Sequence, residues 1–304
     1  MPISHTEVSE TKKADITFNL QEPFWTFDDI VLSAETRDEI EKAIAIEKYK
    51  SLIYGEWNLG SVMKQRKGLS LNFWGPSGTG KTMAAHAVAS QLGLKILVVD
   101  YAEIESKYVG ETSKNLVKMF EAARKQDAMI LFDEADALLS KRVTSMNNAT
   151  DVSVNQTRNV LLRILDNYER PIIFTTNFIK NYDAAFFRRI SSHIEFKIPD
   201  QDARRELWYH YLVPELPVDG ARDSIVEIIA QKDGITGAEI SNIVLDAAID
   251  CARGKEKYIT AGILEERYSK LKDFKASTAD FQVKVSKVTK DEAEKILGGS
   301  LDNV

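Results

Sequence analysis

The sequence predicts an α/β fold: a five-stranded parallel sheet covered by helices on both faces, followed by a small all-helical domain. Three observations predict it. Between residues 71 and 198, short β-branched runs alternate with helical periods. The run Ala128-Met129-Ile130-Leu131-Phe132 is apolar throughout, as a central parallel strand buried on both faces should be. Beyond Pro199 the strand signal stops, and helical periods recur near 201–212, 222–231, 237–253 and 260–273.

The chain has 304 residues, 44% hydrophobic and 28% charged, which suits a large domain plus a smaller one. The net charge of −6 argues against a groove that tracks nucleic acid, so no nucleic-acid partner is expected. The one cysteine, Cys251, has no partner for an internal disulfide and reads as a core thiol. No N-terminal stretch resembles a signal peptide and no apolar run is long enough for a membrane span, so a cytoplasmic protein with no membrane partner is expected.

Residues 1–22 are polar and without period, and read as a mobile arm. Trp25 to Ile30 interleaves aromatics with acids ahead of a helix, for which Thr36 and Glu39 form a capping box. Ile40, Ala43 and Ile44 share one face of that helix. The basic segment 64–68 reads as a solvated turn leading into the first strand, 71–74. A helix from Met83 ends at Gly93, and Lys95 to Asp100 is the second strand. Thr112 to Gln126 is a helix with Leu116, Val117, Met119, Phe120 and Ala123 inward. After the central strand, residues 140–154 lack apolar spacing and read as a loop. Asn155 to Tyr168 is a helix, Pro171 to Asn177 a buried strand, Asp183 to Arg189 a short helix, and His193 to Phe196 the last strand. The large α/β domain is therefore expected over 23–198 and the helical domain over 199–275. A tail over 276–304 is expected to hold a strand at Phe281 to Val285 and a short helix near 290–297.

The chemistry begins where the first strand ends. Gly75, Pro76, Ser77, Gly78, Thr79, Gly80, Lys81 and Thr82 spell G-x-x-x-x-G-K-[ST], the phosphate-binding loop of a P-loop NTPase. Its glycines let backbone N–H groups turn inward around a phosphate, and the helix opening at Met83 adds its positive end. Lys81 is placed to reach the β- and γ-phosphates of ATP, and the Thr82 hydroxyl to ligate Mg²⁺. Asp133 and Glu134 close the central strand. In that context Asp133 holds Mg²⁺ through water and Glu134 polarises the attacking water. Asn177, ending the neighbouring strand, is placed to orient that water against Glu134.

Taken together, Trp25–Ile30, GPSGTGKT, Tyr-Val-Gly after the second strand, ILFDEADAL, TTN and Gly-Ile-Thr-Gly-Ala-Glu-Ile resemble the AAA ATPase family, over about residues 25 to 275. The resemblance implies a Mg²⁺-dependent ATPase working as a ring homo-hexamer with ATP bound between subunits. It implies that Asp29 and Ile30 line the adenine pocket and that Gly237 and Ala238 open the lid helix as a second sensor. Arg188 and Arg189 match the arginine fingers that reach a neighbour's γ-phosphate. Lys107, Tyr108, Val109 and Gly110 match the pore loop that grips an extended polypeptide. Many relatives space two fingers R-x-x-R, but here the fourth position is Ser191, so Arg188, Arg189 or both remain candidates. The second pore loop has Lys141-Arg142 and no aromatic.

No H-E-x-x-H signature is present, which excludes the membrane-protease branch. The TTN stretch with Asp183 to Arg188 is similar to the pachytene-checkpoint ATPase, which opens HORMA-domain proteins and has bacterial relatives beside antiviral defence genes. Tyr108-Val109 also resembles the vacuolar-sorting, katanin and spastin branch. The function expected is ATP-driven remodelling, unfolding or disassembly of a protein threaded through a central pore, a HORMA-domain protein or an adaptor among the candidates. The alternative is a nucleotide-gated assembly switch in which slow hydrolysis acts as a timer.

Overall fold

The computed structural model describes residues 20–62, 68–100, 112–140, 149–177 and 182–286. Two compact units follow each other along the chain, Met1–Lys197 and Ile198–Val304.

The first unit is built on a sheet of β1 (Leu20–Gln21), β2 (Ser70–Trp74), β3 (Lys95–Asp100), β4 (Ala128–Asp133), β5 (Ile172–Thr176) and β6 (Ser192–Glu195). Their order in space is β1-β3-β4-β5-β2-β6. The five strands expected from the sequence are all parallel to one another. The sheet has a sixth member. Leu20 and Gln21, read as part of a mobile arm, pair antiparallel with Leu97 and Ile96 and cover the open edge of β3. A strand of two residues carries no alternation, so periodicity had nothing to detect there.

Alternation along β4 sets the two faces. Ile130 and Phe132 pack with Leu116, Met119 and Phe120 of α3 (Thr112–Lys125) and Leu161 of α5 (Ala149–Leu165), whereas Val117, expected inward, is exposed because it follows Leu116 by about 100° around the helix. Met129 and Leu131 pack with Ile40 and Ile44 of α1 (Ala34–Ser51) and Ala84, Ala85 and Val88 of α2 (Lys81–Leu92). Short helices α4 (Asp136–Leu139) and α6 (Ala184–Phe187) sit directly after β4 and ahead of β6.

Two boundaries differ from expectation. The N-cap of α1 is Ser33, whose hydroxyl accepts the Thr36 N–H, and not a box made by Thr36 and Glu39. Thr36 is buried and its hydroxyl donates to the Glu195 carbonyl, 3.2 Å away, so a tertiary contact has taken the capping group. Helix α5 begins at Ala149 rather than Asn155. Its first turn holds Thr150, Asp151 and Ser153, residue types shared by loops and helix N-termini. Residues 141–148 lie outside the described residues.

The second unit consists of α7 (Gln201–Tyr211), α8 (Arg222–Ile229), α9 (Gly237–Ala252) and α10 (Ala261–Ser286). Asp200 caps α7 by accepting the Ala203 N–H at 2.9 Å, and Thr236 with Glu239 forms a reciprocal capping box on α9. Trp208, Val226, Ile229, Ile240 and Leu264 are fully buried. Arg204 is also buried, but its guanidinium donates to the carbonyls of Ala230 and Pro199. The strand expected at Phe281 to Val285 is instead the last part of α10. Extending an existing helix needs no new nucleus, whereas a lone strand needs a partner. The helix expected at 290–297 lies outside the described residues. Cys251 is half-buried rather than a core thiol. No described helix is long and apolar enough to cross a membrane.

Candidate active site

The site lies at the carboxyl ends of β2, β4 and β5, where parallel α/β sheets present their ligand crevice. Strand β2 hands the chain to Gly75 at φ 145°, and a Cβ there would come within 2.1 Å of the Phe196 carbonyl oxygen. Only glycine fits. Gly78 and Gly80 are left-handed, φ 76° and 94°, and Gly80 turns the chain straight into α2. The unpaired N–H groups of the first turn of α2 therefore belong to Lys81, Thr82 and Met83. Thr79 closes the loop by donating its hydroxyl to the Pro76 carbonyl at 2.8 Å.

Lys81 is 8% exposed. Its ammonium donates to the carbonyls of Gly75 and Pro76, both at 2.8 Å, and to Asn177 Oδ1 at 3.0 Å. Burial pulls its pKa below the usual lysine range, and Asp136, Asp133 and Glu134 pull the other way. Thr82 donates its hydroxyl to both carboxylate oxygens of Asp133, at 3.0 and 3.1 Å. A hydroxyl and one carboxylate so close together suit Mg²⁺, which takes few protein ligands and completes its shell with water and phosphate.

Two residues that the motif reading passed over complete the frame. Thr175 on β5 donates a short hydrogen bond to Asp133 and accepts the Glu134 N–H at 3.0 Å. Asp136 accepts the Asn177 N–H with both carboxylate oxygens, at 3.1 and 3.3 Å. The signal for Asp136 was available as the third acid of the Asp133-Glu134-Ala135-Asp136 run. That for Thr175 was only a threonine at the end of a buried strand. Glu134 itself is exposed and sits in the left-handed region, φ 50°.

The structure thus brings together Gly75 to Met83, Asp133, Glu134 and Asn177 at one sheet edge. Asp29 and Ile30 lie in a turn before α1. The Asp29 carboxylate accepts the Thr26 N–H and hydroxyl at 2.7 and 2.8 Å, and Ile30 packs on the core beneath α1 and α2. Gly237 and Ala238 form the first turn of α9 in the second unit. Lys107, Tyr108, Val109 and Gly110 lie outside the described residues. The two candidate fingers differ in their engagement. Arg189 grips Asp166 with two nitrogens, at 2.8 and 3.2 Å, and donates to the Ala185 carbonyl. Arg188, one residue past α6, is exposed, and its side chain makes no hydrogen bond or ion pair with any described residue.

His86 ties the N-terminal segment to the loop helix. It is buried on α2, its Nδ1 accepts the Phe24 N–H at 3.2 Å, and the rings of Phe24 and Trp25 pack on it at 5.5 and 4.9 Å. Burial lowers its pKa from the ordinary 6.5, against an opposing pull from Asp133. The unfolded chain therefore takes up the proton first, so the stability His86 contributes is complete above its unfolded pKa and is lost as pH falls below it. We expect the thermal midpoint to drop on acidification between about pH 7.5 and 5.5, and His86→Gln to flatten that slope. A slope unchanged by the substitution would assign the acid sensitivity elsewhere.

Comparison with known proteins bears directly on this geometry. Residues 71–198 match the family described as "ATPase family associated with various cellular activities (AAA)". The chain is 29% identical over 285 residues to cell division protein C of Sulfolobus acidocaldarius, covering 89% of this chain and 70% of that one. It is 34% identical over 204 residues to the 26S proteasome regulatory subunit 8 homolog of Schizosaccharomyces pombe, covering 64% and 49%. To the katanin p60 ATPase-containing subunit A1 of Strongylocentrotus purpuratus it is 31% identical over 229 residues, covering 71% and 43%. The chain spans about half the length of the latter two.

Proposed function

Since residues 71–198 form a domain of the AAA ATPase family, we propose that this chain remodels or disassembles a protein substrate, using ATP hydrolysed at sites shared between subunits of a ring. The observation that carries the hydrolytic part is the convergence of Lys81, Thr82, Asp133, Glu134 and Asn177 at one sheet edge. Mg²⁺, held by Thr82 and through water by Asp133, would supply charge neutralisation on the phosphates. The loop N–H groups and Lys81 bind and orient the triphosphate. Glu134 takes the proton of the attacking water, with Asn177 fixing that water's direction. Asp136 and Thr175 hold Asn177 and the 133–134 backbone in place. Asp29 and Ile30 would meet the base, and Gly237 and Ala238 keep the second-sensor role that the family resemblance implies.

The remodelling part rests on the proteasome and katanin relatives and on the Lys107-Tyr108-Val109-Gly110 motif. Within that class we take a HORMA-domain protein as the finer candidate, from the likeness of residues 175–177 and 183–188 to the ATPase that opens such proteins. The test uses a permanently unfolded polypeptide as probe. Wild-type turnover is expected to rise several-fold with it, and Tyr108→Ala to keep basal turnover within about twofold while losing the stimulation. Stimulation intact in Tyr108→Ala would overturn threading. No stimulation of wild type would favour the assembly switch.

A further inference from the structure

The two arginines at the end of α6 are positioned by a buried cation that none of the nucleotide motifs contains. Arg158 lies in α5 and is 2% exposed. Its guanidinium donates to Asp183 Oδ2 at 3.0 Å, makes a short hydrogen bond to the Ser140 carbonyl, and lies 5.8 Å over the Phe186 ring. Each contact reaches a different part of the machinery. Ser140 immediately follows α4, the helix that starts at Asp136 behind the strand-end acids. Asp183 is the N-cap of α6, accepting the Ala185 N–H at 2.8 Å, and its own N–H donates to the Leu139 carbonyl at 2.9 Å. Phe186 is fully buried, and the N–H groups of Arg189 and Ile190 bond to its carbonyl, while that of Arg188 bonds to Ala184. The arginine turn therefore hangs from Asp183 and Phe186, and both are seated on Arg158.

Stability is a poor reason for this arrangement. A buried ion pair repays its desolvation only with good geometry and satisfied hydrogen bonds, and Arg158 Nε has no partner among the described residues. What the guanidinium does that an apolar side chain does not is tie two groups together: one nitrogen, Nη2, donates to both the Ser140 carbonyl and Asp183 Oδ2. That one nitrogen ties the helix behind Asp133, Glu134 and Asp136 to the turn bearing Arg188.

We propose that Arg158 is a positioning residue for the arginine finger: it sets where Arg188 stands relative to its own subunit's strand-end acids, and thereby where it enters the neighbour's site. This rests on the reading of a shared site. Displacing a reacting group by about 1 Å can cost on the order of a hundredfold in rate, so the effect should be readable.

The test is complementation. Glu134→Gln subunits bind ATP and supply fingers but do not hydrolyse. Arg158→Gln alone is expected to bind ATP within about twofold of wild type and to lose turnover at least about tenfold. Mixed with Glu134→Gln subunits, its own sites receive sound fingers, and turnover per Arg158→Gln subunit should rise several-fold. A role inside its own active site predicts no such rise. Arg188→Ala in the same mixtures separates the two readings. If Arg188→Ala is inactive alone and rescued by mixing while Arg158→Gln is not, the positioning role is wrong and the shared site stands. If Arg188→Ala keeps wild-type turnover, Arg188 is not the finger and the positioning role fails with it, whether or not the site is shared through Arg189. Wild-type turnover by Arg158→Gln also overturns the proposal. Should Arg158→Gln not bind ATP, Arg158→Lys decides by the same outcomes, because lysine keeps a cation beside Asp183 but its shorter side chain stops short of the Nη2 position that also reaches Ser140.

Discussion

Glu134→Gln should bind ATP as the wild type does and hydrolyse it at least about a hundredfold more slowly, the range in which general-base catalysis contributes. The substitution is close to isosteric, and the features that hold residue 134 are backbone features. Its N–H is received by Thr175, its φ of 50° is set by the turn after β4, and Ala135 N–H is fixed to the Thr175 carbonyl at 2.8 Å. None of these depends on the carboxylate. The phosphate loop is built from Gly75, Gly78, Gly80 and Lys81, and the ammonium of Lys81 is held by two loop carbonyls and Asn177. Affinity and turnover should therefore separate cleanly. Equilibrium nucleotide binding beside single-turnover phosphate release measures both. Turnover within about tenfold of wild type would move the base elsewhere.

Arg188→Ala carries the second large effect. An arginine finger contributes about 10³- to 10⁵-fold to turnover where it neutralises transition-state charge, and a loss at the lower end of that range is expected, with ATP binding kept. Arg189→Ala should cost far less. Its guanidinium is committed to Asp166 and to the Ala185 carbonyl within its own subunit, so it works there as a brace for the end of α6. The sequence left Arg188 and Arg189 as equal candidates; the bidentate ion pair divides them. Comparing the two variants in steady-state turnover settles the assignment. An Arg189→Ala loss equal to or above that of Arg188→Ala would reverse it.

Sequence and structure agree best where a local pattern carries the physics. The all-apolar run at 128–132 could only be a strand buried on both sides, and the glycines of 75–80 do what their spacing demands. The motif residues come together because parallel strands deliver their ends to one edge. What stayed hidden was tertiary. Thr36 looked like a cap and is a bridge to the Glu195 carbonyl. Leu20 and Gln21 looked unstructured because their order comes from the edge of β3. Arg158 sits in an ordinary amphipathic helix, and nothing in its neighbours in sequence marks it as the partner of Asp183, 25 positions on. Thr175 and Asp136 act through the backbones of Glu134 and Asn177, contacts that no linear motif records.

The left-handed backbone at Glu134 has a further consequence. A residue with a Cβ held in that conformation costs on the order of 1–3 kcal/mol, and glycine would relieve it. The chain thus carries at 134 the side chain the proposed chemistry requires rather than the one its backbone prefers, beside two further acids, Asp133 and Asp136. That tension is sustained by the well-packed strands beneath, β4 and β5, whose described residues short of the site are almost wholly out of water. Heat resistance and catalytic power are therefore opposed at this position. Selection for a hardier chain alone would tend to erase the residue proposed here as the general base.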